Sequence, residues 1–342
     1  MIGALEPCQT ESMDLELLER TLADAGEPSF RATQIWEWAG GGAHSFGQMT
    51  NLPKALRDRL MAELPFSTLE VVDTATSSDG TEKVLFNTLD GRPLETVLMR
   101  YRDGRCSICV SSQSGCPLTC NFCATGRMAF GRNLTASEIL DQVLHFRRSG
   151  SVNHLVFMGM GEPMMNLDAV IEASERLPDI GVATSHTTVS TVGWIPGIER
   201  LATEGPRIRL ALSVHSAEED VRSELMPVND RYPLRDVLEA CLRWREKRGK
   251  RVYIEYLMLG GVNDAPDQAV ALAEALKPRE AWKVNLIPYN PTPGGYRASE
   301  PETIDAFRAV LRERGIPSTV RLTRGRDIAA ACGELAVEAA PV

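Results

Sequence analysis

The stretch "SGCPLTCNFCATG", Ser114–Gly126, carries Cys116, Cys120 and Cys123 in a C-x-x-x-C-x-x-C spacing. Three thiolates are one short of a closed tetrahedral metal site, which usually draws on two tight pairs. The candidates for a fourth protein ligand are Cys106, Cys109 and the remote Cys332, and none forms a second pair of suitable spacing. No histidine lies within twenty residues after Cys123. A cubane [4Fe–4S] cluster usually takes four cysteines, so three would leave one iron open to a substrate or cofactor. A structural zinc site is the alternative reading of the same spacing.

Outward from this stretch the chain alternates strand and helix. "CSICVSS" precedes it and reads as a strand. "TASEILDQVLHFRRSG" follows as a helix, opened by a Thr135–Glu138 capping box and closed by Gly150. The strands "HLVFM", "TTVSTV", "RLALSV", "VYIEYLM", "KVNLIP" and "STVRL" come next, separated by helical segments. Roughly six β/α steps over about 220 residues predict a parallel sheet, either a barrel or a doubly wound sheet. No Gly-rich phosphate loop follows the first strand. In a parallel barrel, ligands bind at the C-terminal strand ends. Those ends carry Gly161 and Glu162 in "GMGEP", Ser190, then Ser213, Val214 and His215 in "SVH", and Asn290. One small polar strand terminus means little. Four in register on one rim point to a ligand.

Before the alternation, residues 1–67 read as a small helical domain, with leucines at helical spacing in "DLELLERTLADAG". Residues 68–101 read as a β-rich linker, 102–330 as the core domain, and 331–342 as a C-terminal segment following the loop that carries Cys332. The 342 residues are 43% hydrophobic and 24% charged, ordinary for a globular protein. No apolar run approaches the ~20 residues of a membrane helix, and the N-terminus lacks a signal-peptide pattern, so a cytoplasmic protein without membrane attachment is expected. Eight cysteines are too few for a disulfide scaffold, and five fall between Cys106 and Cys123, which reads as metal-binding or catalytic. The net charge of −9 argues against a nucleic-acid partner, yet residues 312–326 hold five arginines against one acid.

With "GCPLTCNFCATG" after a strand and "GMGEP" after the next, the chain resembles the radical S-adenosylmethionine (SAM) superfamily, whose open iron is chelated by SAM. "CVSSQSGCPLTCNFCATG", "MPVNDRYPL", "NLIPYNPTPG" and "TRGRDIAAACG" extend the resemblance to the RlmN/Cfr family of radical SAM RNA methyltransferases. This implies an α/β fold, a partial (β/α)6 radical SAM barrel, with a [4Fe–4S] cluster on Cys116, Cys120 and Cys123. It also implies two SAM per turnover, held by Gly161, Glu162, Ser190, Ser213, Val214, His215 and Asn290. RlmN-type members methylate carbon-2 of an adenosine in 23S rRNA and of one in tRNA; Cfr-type members methylate carbon-8 of the same rRNA adenosine and confer antibiotic resistance. Pro163 of "GEP" and Thr323–Gly325 of "TRG" look like the RlmN type, whereas Glu334 stands where the family commonly has Gln.

Adenine carbon-2 is electrophilic, so nucleophilic methyl transfer fails there. The resemblance implies that Cys332 takes a methyl group from one SAM, which requires a thiolate; Arg324 and Arg326 are the expected charges beside it. A second SAM gives a 5′-deoxyadenosyl radical that removes hydrogen from this methyl group, and the carbon radical adds to adenine. Glu95 matches the family's proton acceptor. Cys109 then attacks the Cys332 sulfur, releasing methylated RNA and leaving a transient disulfide. Expected partners are 23S rRNA, tRNA and an electron donor such as flavodoxin, with the enzyme a monomer. Arg92, Arg100, Arg102, Arg105 and Arg321–Arg326 are candidate RNA contacts, as are Trp36 and Trp38, whose competing role is core packing. The rival readings are a zinc-bound RNA-binding module and an electron carrier.

Overall fold

The alternation of strand and helix beyond residue 105 builds one parallel sheet in the computed structural model, which describes residues 15–292 and 295–335. The helical domain contains α1 (Leu15–Asp24), α2 (Phe30–Gly40) and α3 (Lys54–Glu63). Then come β1 (Leu69–Thr76), β2 (Glu82–Thr88), β3 (Pro93–Arg100) and β4 (Cys106–Val110). A two-residue ladder, β5 (Gln113–Ser114) with β6 (Arg132–Asn133), brackets the cysteine loop. There follow α4 (Ala136–Arg147), β7 (His154–Phe157), α5 (Leu167–Arg176), β8 (Thr187–Thr191), α6 (Ile195–Glu204) and β9 (Arg209–Ser213). Next are α7 (Glu219–Leu225), α8 (Leu234–Arg248), β10 (Val252–Met258), α9 (Pro266–Ala275), β11 (Trp282–Pro288), α10 (Pro301–Glu313) and β12 (Ser318–Val320).

The main sheet runs β1-β2-β3-β4-β7-β8-β9-β10-β11-β12. From β4 onward all neighbours are parallel, joined by six crossovers. The last strand pairs only with β11, so the sheet curls into a partial (β/α)6 barrel and does not close. Residues 68–101 are more than a linker. Their three strands add antiparallel to β4 and lengthen the same sheet. β1 escaped the sequence pattern because only Leu69 of its eight residues is buried, which leaves no alternation to read.

The helices bury the faces their spacing dictates. On α5 these are Leu167, Val170, Ala173 and Ser174; on α6, Ile198, Leu201 and Ala202. The α4 capping box is formed: Thr135 Oγ1 accepts from Glu138 N at 3.2 Å, and Glu138 Oε2 accepts from Thr135 N at 2.8 Å. The helical domain is tied to the barrel by Arg147, whose Nε donates to Gly40 O at 2.8 Å. Trp36 is only 2% exposed, which makes it a core residue and not a surface contact. Trp38 is half-buried and donates to Asn51 Oδ1 at 2.6 Å. The acidic Glu6, Glu11 and Asp14, and residues 336–342 of the C-terminal segment, lie outside the described residues.

Candidate active site

The cysteine loop leaves the end of β4 and is fastened at both ends. Ser111 Oγ donates to Glu95 O at 2.6 Å, and Gly131 N donates to Ser114 O at 2.8 Å. Inside the loop, Cys123 N donates to Cys120 O at 3.1 Å. Gly126 passes so close to this turn that a Cβ would lie 2.9 Å from Cys120 O, which excludes a side chain there. Cys116, Cys120 and Cys123 line one face of a cleft of about 940 Å3 at the C-terminal strand ends. Burial pushes the Cys116 thiol up to about 12 and the Cys120 thiol well above its ordinary value.

The opposite face holds most of the polar residues expected from the strand ends: Gly161, Glu162, Ser190, Ser213 and His215. Gly161 has φ +97°, and a Cβ there would lie 2.6 Å from Gln113 Cβ. Glu162 is 2% exposed; Oε1 accepts from Met164 N and Oε2 from Val192 N, both at 3.0 Å. The Thr191 side chain also bonds to the carboxylate, which still keeps lone-pair capacity for a ligand. Burial raises the carboxyl to about 7, against these stabilising N–H bonds. His215 sits at φ 59°, held there by Asn263 Nδ2, which donates to its carbonyl at 2.6 Å. Its Nδ1 accepts from Leu257 N at 3.0 Å, which places the ring proton on Nε2. Burial and then the Arg222 charge lower its pKa to about 3, so the ring is neutral. Val214 gives the cleft no side chain; it is fully buried, and its N–H donates to Glu255 O at 3.0 Å.

Asn290 faces a second, adjoining cleft of about 510 Å3, which also contains Cys109 and Cys332. Its Oδ1 accepts from Arg326 Nε at 2.7 Å, while its buried Nδ2 has no partner. Cys332 lines both clefts. Its loop is bonded to the cysteine loop, since Ala124 N donates to Gly333 O at 2.8 Å. The charge beside Cys332 is not the expected one. Arg324 reaches back to Asp79 O at 3.0 Å and Arg326 is taken by Asn290; Arg321 instead faces both Cys332 and Cys109. Burial outweighs Arg321 at both sulfurs. The Cys109 thiol is pushed up to about 12, and Cys332 is raised too.

Glu95 lies within β3, two residues from Val97, which pairs with Cys109 across the sheet. It is 4% exposed and so is not a solvated surface charge. Its Oε1 is 2.9 Å from Lys83 Nζ, and its Oε2 has no partner. The same Lys83 donates to Ala329 O at 3.2 Å, linking Glu95 to the Cys332 loop. Sequence reasoning missed Lys83, Arg222 and Glu255, and read Arg321 only as an RNA contact. Of these, Glu255 left a trace: an acid inside the apolar strand "VYIEYLM".

Comparison with known proteins assigns this arrangement. The Radical SAM superfamily profile matches residues 110–273, and that of the "Ribosomal RNA large subunit methyltransferase N-terminal domain" matches residues 11–64. The "Dual-specificity RNA methyltransferase RlmN" of Anaeromyxobacter dehalogenans is 42% identical over 96% of this chain and 92% of its own length. The chain belongs to the RlmN family of radical SAM RNA methyltransferases. The "Probable dual-specificity RNA methyltransferase RlmN" of Chloroflexus aurantiacus is 46% identical, covering 94% of this chain and 91% of its own. A radical SAM methyltransferase from Sphaerobacter thermophilus, known from a crystal structure, superposes with a TM-score of 0.89 at 43% identity, covering 96% of this chain and 100% of its own.

Radical SAM enzymes use a [4Fe–4S] cluster and SAM, and the residues fit both. Among the described residues, no three His, Cys, Asp or Glu side chains close on a single metal ion. Three thiols spread along one loop suit the larger cubane, and such buried sulfurs ionise when a cationic centre replaces their lost hydration. The free lone pairs of Glu162 and the Nε2–H of His215 are an acceptor and a donor suited to SAM's ammonium and adenine. Among the described residues, no helix is long and apolar enough to cross a membrane.

Proposed function

We propose that this enzyme methylates carbon-2 of adenosine in 23S rRNA and in tRNA, with Cys332 as methyl carrier and Cys109 as resolving thiol. One observation carries the reading: Cys332 belongs at once to the cleft of the three cysteines and to the cleft of Cys109. A thiol so placed meets the cofactor on one side and its resolving partner on the other. The names of the relatives support RNA as substrate and a dual specificity.

When bound, the cluster and SAM supply the methyl group and a hydrogen-abstracting radical. Cys116, Cys120 and Cys123 hold the cluster, while Glu162, Ser190, Ser213 and His215 orient SAM. Cys332 Sγ carries the methyl carbon to the base as a thioether. Glu95 takes the carbon-2 proton, with Lys83 as its counter-ion. Cys109 gives up its proton and its Sγ attacks Cys332 Sγ; the S–S bond forms as the S–C bond breaks, the bonding pair leaves with the carbon, which takes a proton to become the methyl group, and a two-electron reductant restores both thiols. The Pro163 and Thr323–Gly325 segments favour carbon-2 over carbon-8.

Mass spectrometry of rRNA and tRNA treated with the reconstituted enzyme tests the proposal. 2-Methyladenosine in both RNAs is expected. 8-Methyladenosine would overturn the carbon assignment, and product in rRNA alone would remove the dual specificity.

A further inference from the structure

In closed parallel barrels, bulky aliphatic side chains fill the axis. The floor of this partial barrel is lined differently. Near the N-terminal strand ends, a cavity of about 1300 Å3 is walled by Arg105, Arg209, Lys283 and Arg321 together with His154 and His186. Glu255 is the one carboxylate among its lining residues, and it faces Arg321. Arg105, Arg209 and Lys283 have no ion-pair partner among the described residues. Arg105 lies over the Tyr101 ring at 3.9 Å.

The two imidazoles stack at 4.3 Å and 6°. His186 Nδ1 is 3.1 Å from Asn153 O, so it must carry the proton. His154 Nδ1 is 2.8 Å from Asn153 Oδ1, which also accepts from Cys106 N; this fixes Oδ1 as the acceptor and gives His154 the same tautomer. Both rings therefore leave Nε2 free to take a proton.

We propose that this floor, which shares Arg321 with the cleft of Cys109 and Cys332 above it, is a phosphate-binding site for the phosphate groups of an RNA strand or of a free nucleotide. Unpaired cations facing one another across a cavity repel, and a bound dianion removes that cost. Burial, His186, Arg105 and Arg209 together lower the His154 pKa, opposed only by Asp103. A phosphate between these groups reverses the balance, so binding takes up a proton near neutral pH. The site does not depend on the methylation reading.

Calorimetry with inorganic pyrophosphate on the cluster-loaded full chain tests this. One saturable site is expected, with a heat that varies with buffer ionisation enthalpy as proton uptake requires, and with shifts of the His154 and His186 ring resonances. Arg209→Gln and Lys283→Gln should each weaken binding about tenfold, the loss of one charge-assisted contact, while Lys283→Arg keeps it. Thermal unfolding midpoints control for damage to the fold. A second arm uses a short single-stranded RNA. If pyrophosphate competes with it and the same variants weaken it, the RNA backbone is the source. If RNA binding ignores both while pyrophosphate binding falls, the ligand is a small free phosphate. No saturable pyrophosphate binding and no movement of the two histidine resonances would overturn the proposal, as would full affinity in both glutamine variants.

Discussion

Two groups of cysteines meet at adjoining clefts under opposite fields. Cys116 and Cys120 are pushed up by burial and pushed further by the Glu162 carboxylate, with the buried Arg222 acting on Cys120 alone. Cys109 is buried and Cys332 half-buried, and desolvation raises both, but Arg321 pulls both down. Burial wins in both groups, so all four start as thiols. The groups differ in where the ionising charge comes from. For the loop it must arrive with the cluster; for Cys109 and Cys332, part of it is built into the protein as Arg321.

The sharpest way to break this comparison is to remove one sulfur from each group. Cys116→Ala should strip the iron, from about four atoms per chain to near none, and abolish methylation with it. Cys332→Ala should keep the iron and the SAM-induced spectral change yet give no methylated product. Cys109→Ala should leave RNA covalently attached, seen as a shifted band on a denaturing gel. Loss of iron in Cys332→Ala would merge the two groups, and free release of product by Cys109→Ala would remove its role.

Arg321→Gln addresses the built-in charge. Losing it should raise the Cys332 pKa by about one unit and slow its alkylation by iodoacetamide about tenfold at pH 8. Because the thiol remains protonated, the alkylation rate should still climb with pH in both proteins, with the variant's curve displaced to higher pH. Peptide mapping would report each cysteine separately, and the three loop cysteines should not respond. An equal slowing of all five would mean that Arg321 acts on the fold.

Periodicity made most of the fold legible and almost none of the electrostatics. Helices such as α5 and α6 bury the faces that their apolar spacing prescribes, and Thr135 with Glu138 announced a capping box that is formed. Strand β1 was hidden because its exposed residues do not alternate. The cysteine spacing and most of the polar strand ends marked residues that line one cleft, since both are local patterns. Arg321 could not be told from Arg324 or Arg326, because three arginines within six residues look alike until the end of β12 aims one inward. The Lys83–Glu95 pair joins neighbouring strands through a register that no local pattern states.

On the loop side, Glu162 is the counterpart of Arg321. Its carboxyl titrates near 7, so the charged form that attracts SAM's ammonium prevails above that pH and is lost below it. SAM affinity of the cluster-loaded enzyme, measured by equilibrium dialysis, should be highest between about pH 7 and 8, where an α-amino group still keeps much of its charge, and about tenfold weaker at pH 6, where roughly one carboxyl in ten is ionised. Glu162→Gln should flatten this profile at its weak end. A profile that stays steep in the variant would place the titration elsewhere.

The smallest expected effect belongs to Glu334. Its Oε2 accepts from Ala331 N at 2.8 Å, bracing the Cys332 loop, and its negative charge pushes the Cys332 thiol upward against Arg321. Glutamine retains a carbonyl acceptor for that N–H and removes the charge, so Glu334→Gln separates bracing from electrostatics. One charge a few ångströms away through partly wet surroundings is worth about 0.5 kcal/mol. Alkylation of Cys332 should therefore quicken about two- to threefold at pH 8, with Cys116, Cys120 and Cys123 unchanged. Burial raises the Glu334 carboxyl above its ordinary value, with Lys83 and Arg326 opposing. The difference between the two proteins should therefore shrink as pH falls and the carboxyl takes its proton. A rate gain that persists at low pH would show that the loop had moved, and the charge account of Cys109 and Cys332 would fail at its most sensitive point.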